Sequence, residues 1–430
     1  MDRVIKKAKQ LRGQIVTPPD KSISHRAVIF ASLANGSSVI KNFLWAKDPL
    51  SSLNSMRLLG VDIEITETKE IVVHGKGLKS LIEPDNVIDC GNSGTTMRLL
   101  SGILAGQSFF SVLTGDDSLR QRPMKRIVTP LSLMGATIMG RDENRLPPLA
   151  IKGGSIKGID YDMPIASAQV KSAILLAGLF AQGKTSVSEP YKSRDHTEKM
   201  LKSMGAELEI DGNRIEISPL REELKPLDIS IPGDFSSAAF FIAAASLVKD
   251  SEVLIKDVCL NNTRTGLMDV LINMGANISV INKREQAGEL LGDLLIRSSE
   301  KLKGTLIEGN IIPRLIDEFP ILCVIASQAE GVTIIKDAKD LRAKESDRIK
   351  AMTTELNKMG VDIHELDDGV EIKGPCKIKA AEVYSYKDHR IAMALSIAGL
   401  IADGETKIKD AECVDISFPE FYNLLEMLQH

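Results

Sequence analysis

The sequence predicts an α/β protein of two domains, each made of three repeated units of βαβαββ type. Three observations predict it. Six times an apolar helical stretch ends in a turn and runs into a β-branched strand. The turns, at Gly36, Gly106, Gly183, Asp250, Gly331 and Gly404, stand 70, 77, 67, 81 and 73 residues apart. A repeat of that length is a whole α/β unit, not one turn of a solenoid. A second set of helical stretches ends at Gly60, Gly135, Gly205, Gly275 and Gly360, each directly after Leu or Met. Glycine just past a helix end takes the left-handed conformation that stops it. Finally, a polar or charged cluster opens nearly every helix of the first set.

Taken in order, the first set runs roughly over 22–34, 93–105, 167–181, 234–248, 317–329 and 388–402. Each turn leads into a Val/Ile/Thr/Phe-rich run such as Val332-Thr-Ile-Ile-Lys336. After the second set come alternating runs such as Ala206-Glu-Leu-Glu-Ile210, the pattern of a half-buried strand. The sixth helix of the second set, Phe418–Leu428, ends the chain with no strand after it. The unmatched segment Val4–Val16 is the expected source of the missing strands. One domain then comprises residues 1–19 with 232–430, and the other 20–231. Thr17-Pro-Pro19 and Ile231-Pro-Gly233 suit the two crossings, because Pro and Gly punctuate the chain. A site between two such lobes can close on a ligand.

Composition narrows the class. The net charge of −4 over 430 residues disfavours general nucleic-acid or membrane binding. The five cysteines, Cys90, Cys259, Cys323, Cys376 and Cys413, form no CxxC pair, which fits a reducing compartment. No His/Cys/Asp cluster has metal-ligand spacing. The start of the chain carries no apolar stretch like a signal peptide, and the longest apolar run, near 238–248, is too short for a membrane span. A cytoplasmic protein is expected.

The clusters carry the chemistry. Asp20-Lys-Ser-Ile-Ser-His-Arg26 opens the first helix, with Ser22 the expected cap. Lys and Arg oppose the dipole at a helix N-terminus, so they make sense there beside a bound anion. Gly91-Asn-Ser-Gly-Thr-Thr-Met-Arg98 opens the second helix with small residues that let backbone N–H groups approach a ligand. Arg122 follows the next strand. Ser167-Ala-Gln-Val-Lys171 opens the third helix, and Ser193-Arg-Asp-His-Thr-Glu198 is linked to it. Asp234 opens the fourth without cations and reads as a cap. Asp317-Glu318, Lys344-Glu-Ser-Asp-Arg348 and Asp388-His-Arg390 complete the set. So many cations call for a ligand set with several negative charges. Asp317 and Glu345 are the carboxylates placed among them for proton transfer. No Walker or Rossmann glycine pattern is present.

In this order, and over essentially the whole chain, these motifs resemble those of the 5-enolpyruvylshikimate-3-phosphate synthases, with Ser-Ala-Gln and Ser-Arg-Asp-His-Thr-Glu resembling the class II branch. The resemblance implies the enolpyruvyl transferase fold, with the active site in the cleft between the domains. It also implies a reaction needing no metal or organic cofactor, in which the 5-hydroxyl of shikimate 3-phosphate adds to phosphoenolpyruvate and phosphate then leaves. By matching position it implies that Lys21, Gly94, Arg122, Gln169, Arg348, His389 and Arg390 meet phosphoenolpyruvate. Lys21, Ser22, Arg26, Ser167, Ala168, Gln169, Arg194, Asp317 and Lys344 meet shikimate 3-phosphate. Asp317, Glu345 and Lys21 are the implied catalytic groups. The resemblance further implies a monomer, inhibited by glyphosate in competition with phosphoenolpyruvate. Three positions depart from the family pattern: Ile416 replaces a C-terminal lysine, Asp340 a substrate-binding Asn, and Ala168 a second Ser. The sister transferase acting on UDP-N-acetylglucosamine is the alternative; it differs by a Lys-Asn pair at 21–22 and a reactive loop cysteine. A non-catalytic anion- or RNA-binding protein on the same scaffold is disfavoured by the acidic balance and by Asp317 and Glu345.

Overall fold

A computed structural model describes residues 2–430 as two compact units. The terminal unit takes the chain up to Pro18, then Pro232–Glu285 and Leu290–His430; the central unit takes Pro19–Ile231 and Gln286–Glu289. Residues 286–289 are a correction to the sequence expectation, which left them with the chain ends. They belong to the central unit because Glu289 accepts from His196 Nδ1 at 2.7 Å and pairs with Lys199 at 3.4 Å.

All six sheets share a plan in which a first strand is parallel to the second and a third antiparallel to the second; in four of them a fourth strand is antiparallel to the third. In the central unit the orders are Ile229–Ser230, Asn35–Lys41, Ile71–Lys76, Asp62–Ile65; Ile88–Asp89, Phe110–Thr114, Leu146–Lys152, Thr137–Gly140; and Asp160–Asp162, Thr185–Ser188, Arg214–Ile217, Leu208–Asp211. The terminal unit repeats it with Leu306–Ile307, Gly331–Ile335, Gly369–Gly374 and Asp362–Leu366. The N-terminal segment is divided between the two remaining sheets. Arg12–Val16 is the first strand beside Glu252–Cys259, whereas Arg3–Lys6 takes the third place beside Glu405–Lys409. Among the described residues the sixth sheet has three strands.

Six apolar helices form the cores: α1 (Lys21–Leu33), α2 (Gly94–Ala105), α3 (Ala168–Gly178), α4 (Phe235–Leu247), α5 (Phe319–Ala326) and α6 (His389–Ile401). Helices buried this completely are apolar over most of their circumference, not on one stripe, with the buried Arg26 on α1 and Lys171 on α3 as charged exceptions. α2 and α3 cross at Gly102, where an added Cβ would lie 2.2 Å from the Ala173 carbonyl oxygen, so nothing larger fits. In the terminal unit Phe241, Phe418 and Phe421 stack edge-on or tilted, with ring centroids 5.6–5.8 Å apart. The stop glycines Gly60, Gly135, Gly205, Gly275 and Gly360 all have positive φ, from 83° to 111°.

Several helix boundaries differ from expectation; α5 ends at Ala326, short of Ala329, and the last helix begins at Phe421, not Phe418. α3 ends at Gly178, short of Ala181. α5 begins at Phe319; Asp317 and Glu318 lie in a preceding 3-10 turn, and Pro320 occupies the first helical turn where its missing N–H costs nothing. Among the described residues, no helix is long and apolar enough to cross a membrane.

Candidate active site

In the central unit, three helix N-termini carry the sequence clusters. α1 is capped by Asp20, not by Ser22: Asp20 Oδ1 accepts from the Ile23 N–H at 2.8 Å. Asp20 stands three residues before that donor, which is the spacing a cap needs, while Ser22 is already inside the helix. The cap leaves Lys21 at the first helical position, where its ammonium donates to Asp48 Oδ2 at 2.8 Å. Arg26, only 3% exposed, donates Nε to Thr197 Oγ1 at 2.8 Å, Nη2 to Ser172 Oγ at 2.9 Å and Nη1 to the Ser22 carbonyl at 3.0 Å. Ser22, Ser167, Ala168, Gln169 and Arg194 are all half-buried.

α2 is capped by Ser93, whose Oγ accepts from the Thr96 N–H at 3.0 Å. Arg98 Nη1 donates to Gln169 Oε1, and Gln169 Nε2 donates to Thr95 Oγ1 at 2.8 Å, so α2 and α3 hold each other's polar residues. Arg122 Nη2 donates to Asn92 Oδ1 at 2.6 Å. Gly94 lies between these guanidinium groups: an added Cβ would stand 2.9 Å from Arg98 Nη1 and 3.7 Å from Arg122 Nη1. A hydroxyl network links the starts of α1 and α2. His25 Nδ1 meets Ser52 Oγ at 2.8 Å, Ser52 meets Thr96 Oγ1 at 2.8 Å, and Thr96 donates to Ser93 Oγ at 2.8 Å. Burial pushes His25 down to about 3; Asp48 opposes this, and the Lys21 and Arg26 cations add to it. The imidazole is therefore neutral near pH 7 and acts as an internal hydrogen-bonding group.

The terminal unit gathers the remaining motifs around Arg348, which is 1% exposed. Its Nε donates to Asp388 Oδ2 at 2.9 Å and its Nη2 to Glu345 Oε2 at 2.6 Å, while Nη1 lies 3.5 Å from Asp317 Oδ1. Burial alone would push this guanidinium down, but the three carboxylates hold it above its ordinary value. Burial raises Asp388 and Glu345 repels its charge, yet Arg348 and His389 keep it below the usual carboxylate range. Asp388 also caps α6, accepting from the Arg390 N–H at 2.9 Å. Arg390 Nη2 lies 3.7 Å from Asp317 Oδ2, and its Nη1 donates to the Asp317 carbonyl at 3.3 Å. His389 is buried at the same turn. The half-buried Lys344 is pulled below its ordinary value by desolvation and by Arg348, against Asp317, Asp340 and Glu345.

The structure thus brings Asp317, Glu345, Lys344, Arg348, His389 and Arg390 into one cluster. The central unit brings Lys21, Gly94, Arg98, Arg122 and Gln169 to the starts of α1, α2 and α3. Ile416 ends a 3-10 turn and packs on the apolar core.

Several residues were not found by reading the sequence. Asp234 caps α4 through the Ser236 N–H, and it has a cation after all: buried Arg264 donates to Asp234 Oδ1 at 2.7 Å and to Ser236 Oγ at 2.9 Å. Ser236 Oγ in turn donates to Glu318, beside Asp317. Asp48 was missed likewise, and Thr197 stood inside the Ser193–Glu198 motif without a role. Their only sequence signal is position near a helix start, which many capping residues share.

The chain was also compared with known proteins. The family model described as EPSP synthase (3-phosphoshikimate 1-carboxyvinyltransferase) matches residues 5–425. A curated 3-phosphoshikimate 1-carboxyvinyltransferase of Thermodesulfovibrio yellowstonii is 72% identical over 429 residues, covering 100% of both chains. One from Geotalea uraniireducens is 52% identical, covering 98% of each. Among solved structures, the EPSP synthase of Acinetobacter baumannii superposes with a TM-score of 0.89 at 43% identity, covering 99% of this chain and 98% of that one.

Proposed function

The chain belongs to the EPSP synthase (3-phosphoshikimate 1-carboxyvinyltransferase) family, and from that premise we propose what each residue of the two clusters does. The reaction transfers the enolpyruvyl group of phosphoenolpyruvate to the 5-hydroxyl of shikimate 3-phosphate and releases phosphate, a step of the shikimate pathway to chorismate and the aromatic amino acids.

Both substrates carry a phosphate and a carboxylate, which accounts for cations at positions where the helix dipole alone disfavours them by roughly 0.3–1 kcal/mol. Lys21, Gln169, Arg122, Arg348, His389 and Arg390 hold phosphoenolpyruvate, with Gly94 against it. Lys21, Ser22, Arg26, Ser167, the Ala168 backbone, Gln169, Arg194 and Lys344 hold shikimate 3-phosphate. Asp317 orients the 5-hydroxyl and takes its proton as the oxygen bonds to C2 of phosphoenolpyruvate. Glu345 delivers a proton to C3 in the same addition. In the elimination C3 returns its proton to Glu345 as the C2–O bond to phosphate breaks; Lys21 gives a proton to the departing phosphate and regains one from solvent, to which Asp317 releases the 5-hydroxyl proton. The ion pair at 2.6 Å holds Glu345 beside the same guanidinium that meets the anionic substrate.

The observation that carries this reading is the Asp317–Arg348–Glu345 arrangement: two carboxylates on one buried cation, with Arg390 and Lys344 alongside. The protein works as a monomer in the cytoplasm, on small molecules and not on nucleic acid or membranes, and glyphosate inhibits it in competition with phosphoenolpyruvate. Phosphate release from phosphoenolpyruvate tests the function, with shikimate 3-phosphate or UDP-N-acetylglucosamine as acceptor. Release with shikimate 3-phosphate alone is expected. Release with the sugar nucleotide alone would overturn the roles given to Ser22, Arg26 and Arg194.

A further inference from the structure

Inside the central unit lies an ionic cluster that the reaction does not use. Lys171, on α3, is fully buried. Its ammonium donates to Glu189 Oε2 at 2.7 Å and contacts Glu198 Oε1 at 2.7 Å, and both carboxylates are buried too. The two glutamates bracket the segment 189–198. Glu189 accepts from the Ser193 N–H at 3.3 Å and from the Ser193 hydroxyl, and Lys171 reaches the Ser193 carbonyl at 3.4 Å. Ser193 directly precedes Arg194. At the other end, Glu198 directly follows Thr197, whose hydroxyl accepts from Arg26 Nε and meets Ser172 Oγ at 2.7 Å. Ser172 is the neighbour of Lys171, and the Lys171 N–H donates to the Ser167 carbonyl at 3.0 Å.

A buried ion trio is poor value as a stabiliser, because taking charges out of water offsets most of their attraction, and apolar residues of the same volume often serve as well or better. What it supplies is one geometry, since each carboxylate must meet the ammonium. We propose that Lys171 is a positioning residue for the acceptor half of the site. Clamped between Glu189 and Glu198, it fixes the 189–198 segment, and with it Arg194 and the Thr197 hydroxyl that aims Arg26. The segment joins a strand to a helix and would otherwise be free to shift. The inference rests on the assignment of Arg26 and Arg194 to shikimate 3-phosphate.

Two variants test it, each with its thermal melt: Glu198→Gln, and the charge-free Lys171→Met/Glu189→Gln/Glu198→Gln, which leaves no lone buried charge. Steady-state kinetics are run on both substrates, with Arg194→Ala as control. KM for shikimate 3-phosphate is expected to rise about tenfold or more in the triple variant and less in Glu198→Gln, with KM for phosphoenolpyruvate within about twofold of the parent. Folded variants with KM for shikimate 3-phosphate unchanged, or with both KM values raised equally, overturn the proposal. Should the triple variant not fold, Glu198→Gln decides by the same criterion. If Arg194→Ala itself leaves that KM unchanged, the acceptor-site assignment has failed and not the clamp alone.

Discussion

The two units hold their cations in different ways. In the central unit Arg26, Arg98 and Arg122 donate to hydroxyl, amide and carbonyl oxygens, which orient each guanidinium, while Lys21 donates to the Asp48 carboxylate. In the terminal unit Arg348 donates to Asp388 and Glu345 and faces Asp317, so its charge is more than matched. The first arrangement suits binding anions. The second suits proton transfer, because carboxylates sharing one cation change their proton affinity as soon as an anion competes for it. The distinction is the crowding of three carboxylates on one buried guanidinium, Arg348, against the mainly neutral acceptors of Arg26 and Arg122.

That contrast can be broken most directly at Arg348. Arg348→Met leaves buried Asp388 without its cation and is expected to cost about 3–5 kcal/mol of stability. Arg122→Met, which removes a donor to a neutral amide, is expected to cost about 1 kcal/mol while raising KM for phosphoenolpyruvate. Chemical denaturation of both variants measures it, and equal losses would erase the distinction. Glu345→Gln is expected to lower kcat at least about a hundredfold while sparing substrate affinity; a steady-state rate like the parent's would remove its proton-transfer role.

His25 sharpens the comparison from the stability side. Its folded value of about 3 lies below the unfolded one near 6.5, so the unfolded chain binds more protons as the pH falls between them. The stability it allows is complete above pH 6.5 and is lost as the pH drops, by about 2 kcal/mol at pH 5. His25→Gln should flatten the dependence of melting temperature on pH between 6.5 and 5; an unaltered slope would show that the imidazole is not buried neutral. The smallest effect is at Gly94. Gly94→Ala puts a methyl group against Arg98 and is expected to weaken glyphosate inhibition about tenfold, the scale of a crowded extra methyl. Inhibition constants measured at several phosphoenolpyruvate concentrations decide this, and a constant that ignores phosphoenolpyruvate would remove glyphosate from this site.

Much of the fold was legible because its signals are local. Turn glycines, apolar helices and alternating strands repeat at nearly fixed spacing, and the stop glycines adopt the positive φ that their position requires. The site motifs were legible for the same reason, since each lies within eight residues of a helix start. Partners were less legible. Asp20 rather than Ser22 caps α1 because the cap depends on where the helix turns begin, which composition leaves open to within a residue or two. Arg264 escaped notice because thirty residues separate it from Asp234.

By itself, then, the sequence determined the repeat, the helix and strand types, and the positions where Lys21, Arg122, Asp317, Glu345 and Arg348 stand. Only the tertiary structure decided which charges meet. It gave Lys21 to Asp48, Lys171 to Glu189 and Glu198, and Arg348 to Asp388, and it sent the two N-terminal strands to different sheets. The physical reason is that periodicity and capping are set by residues within a turn or two of each other. An ion pair is set by the path of the whole chain, which alone determines which charges are removed from water together.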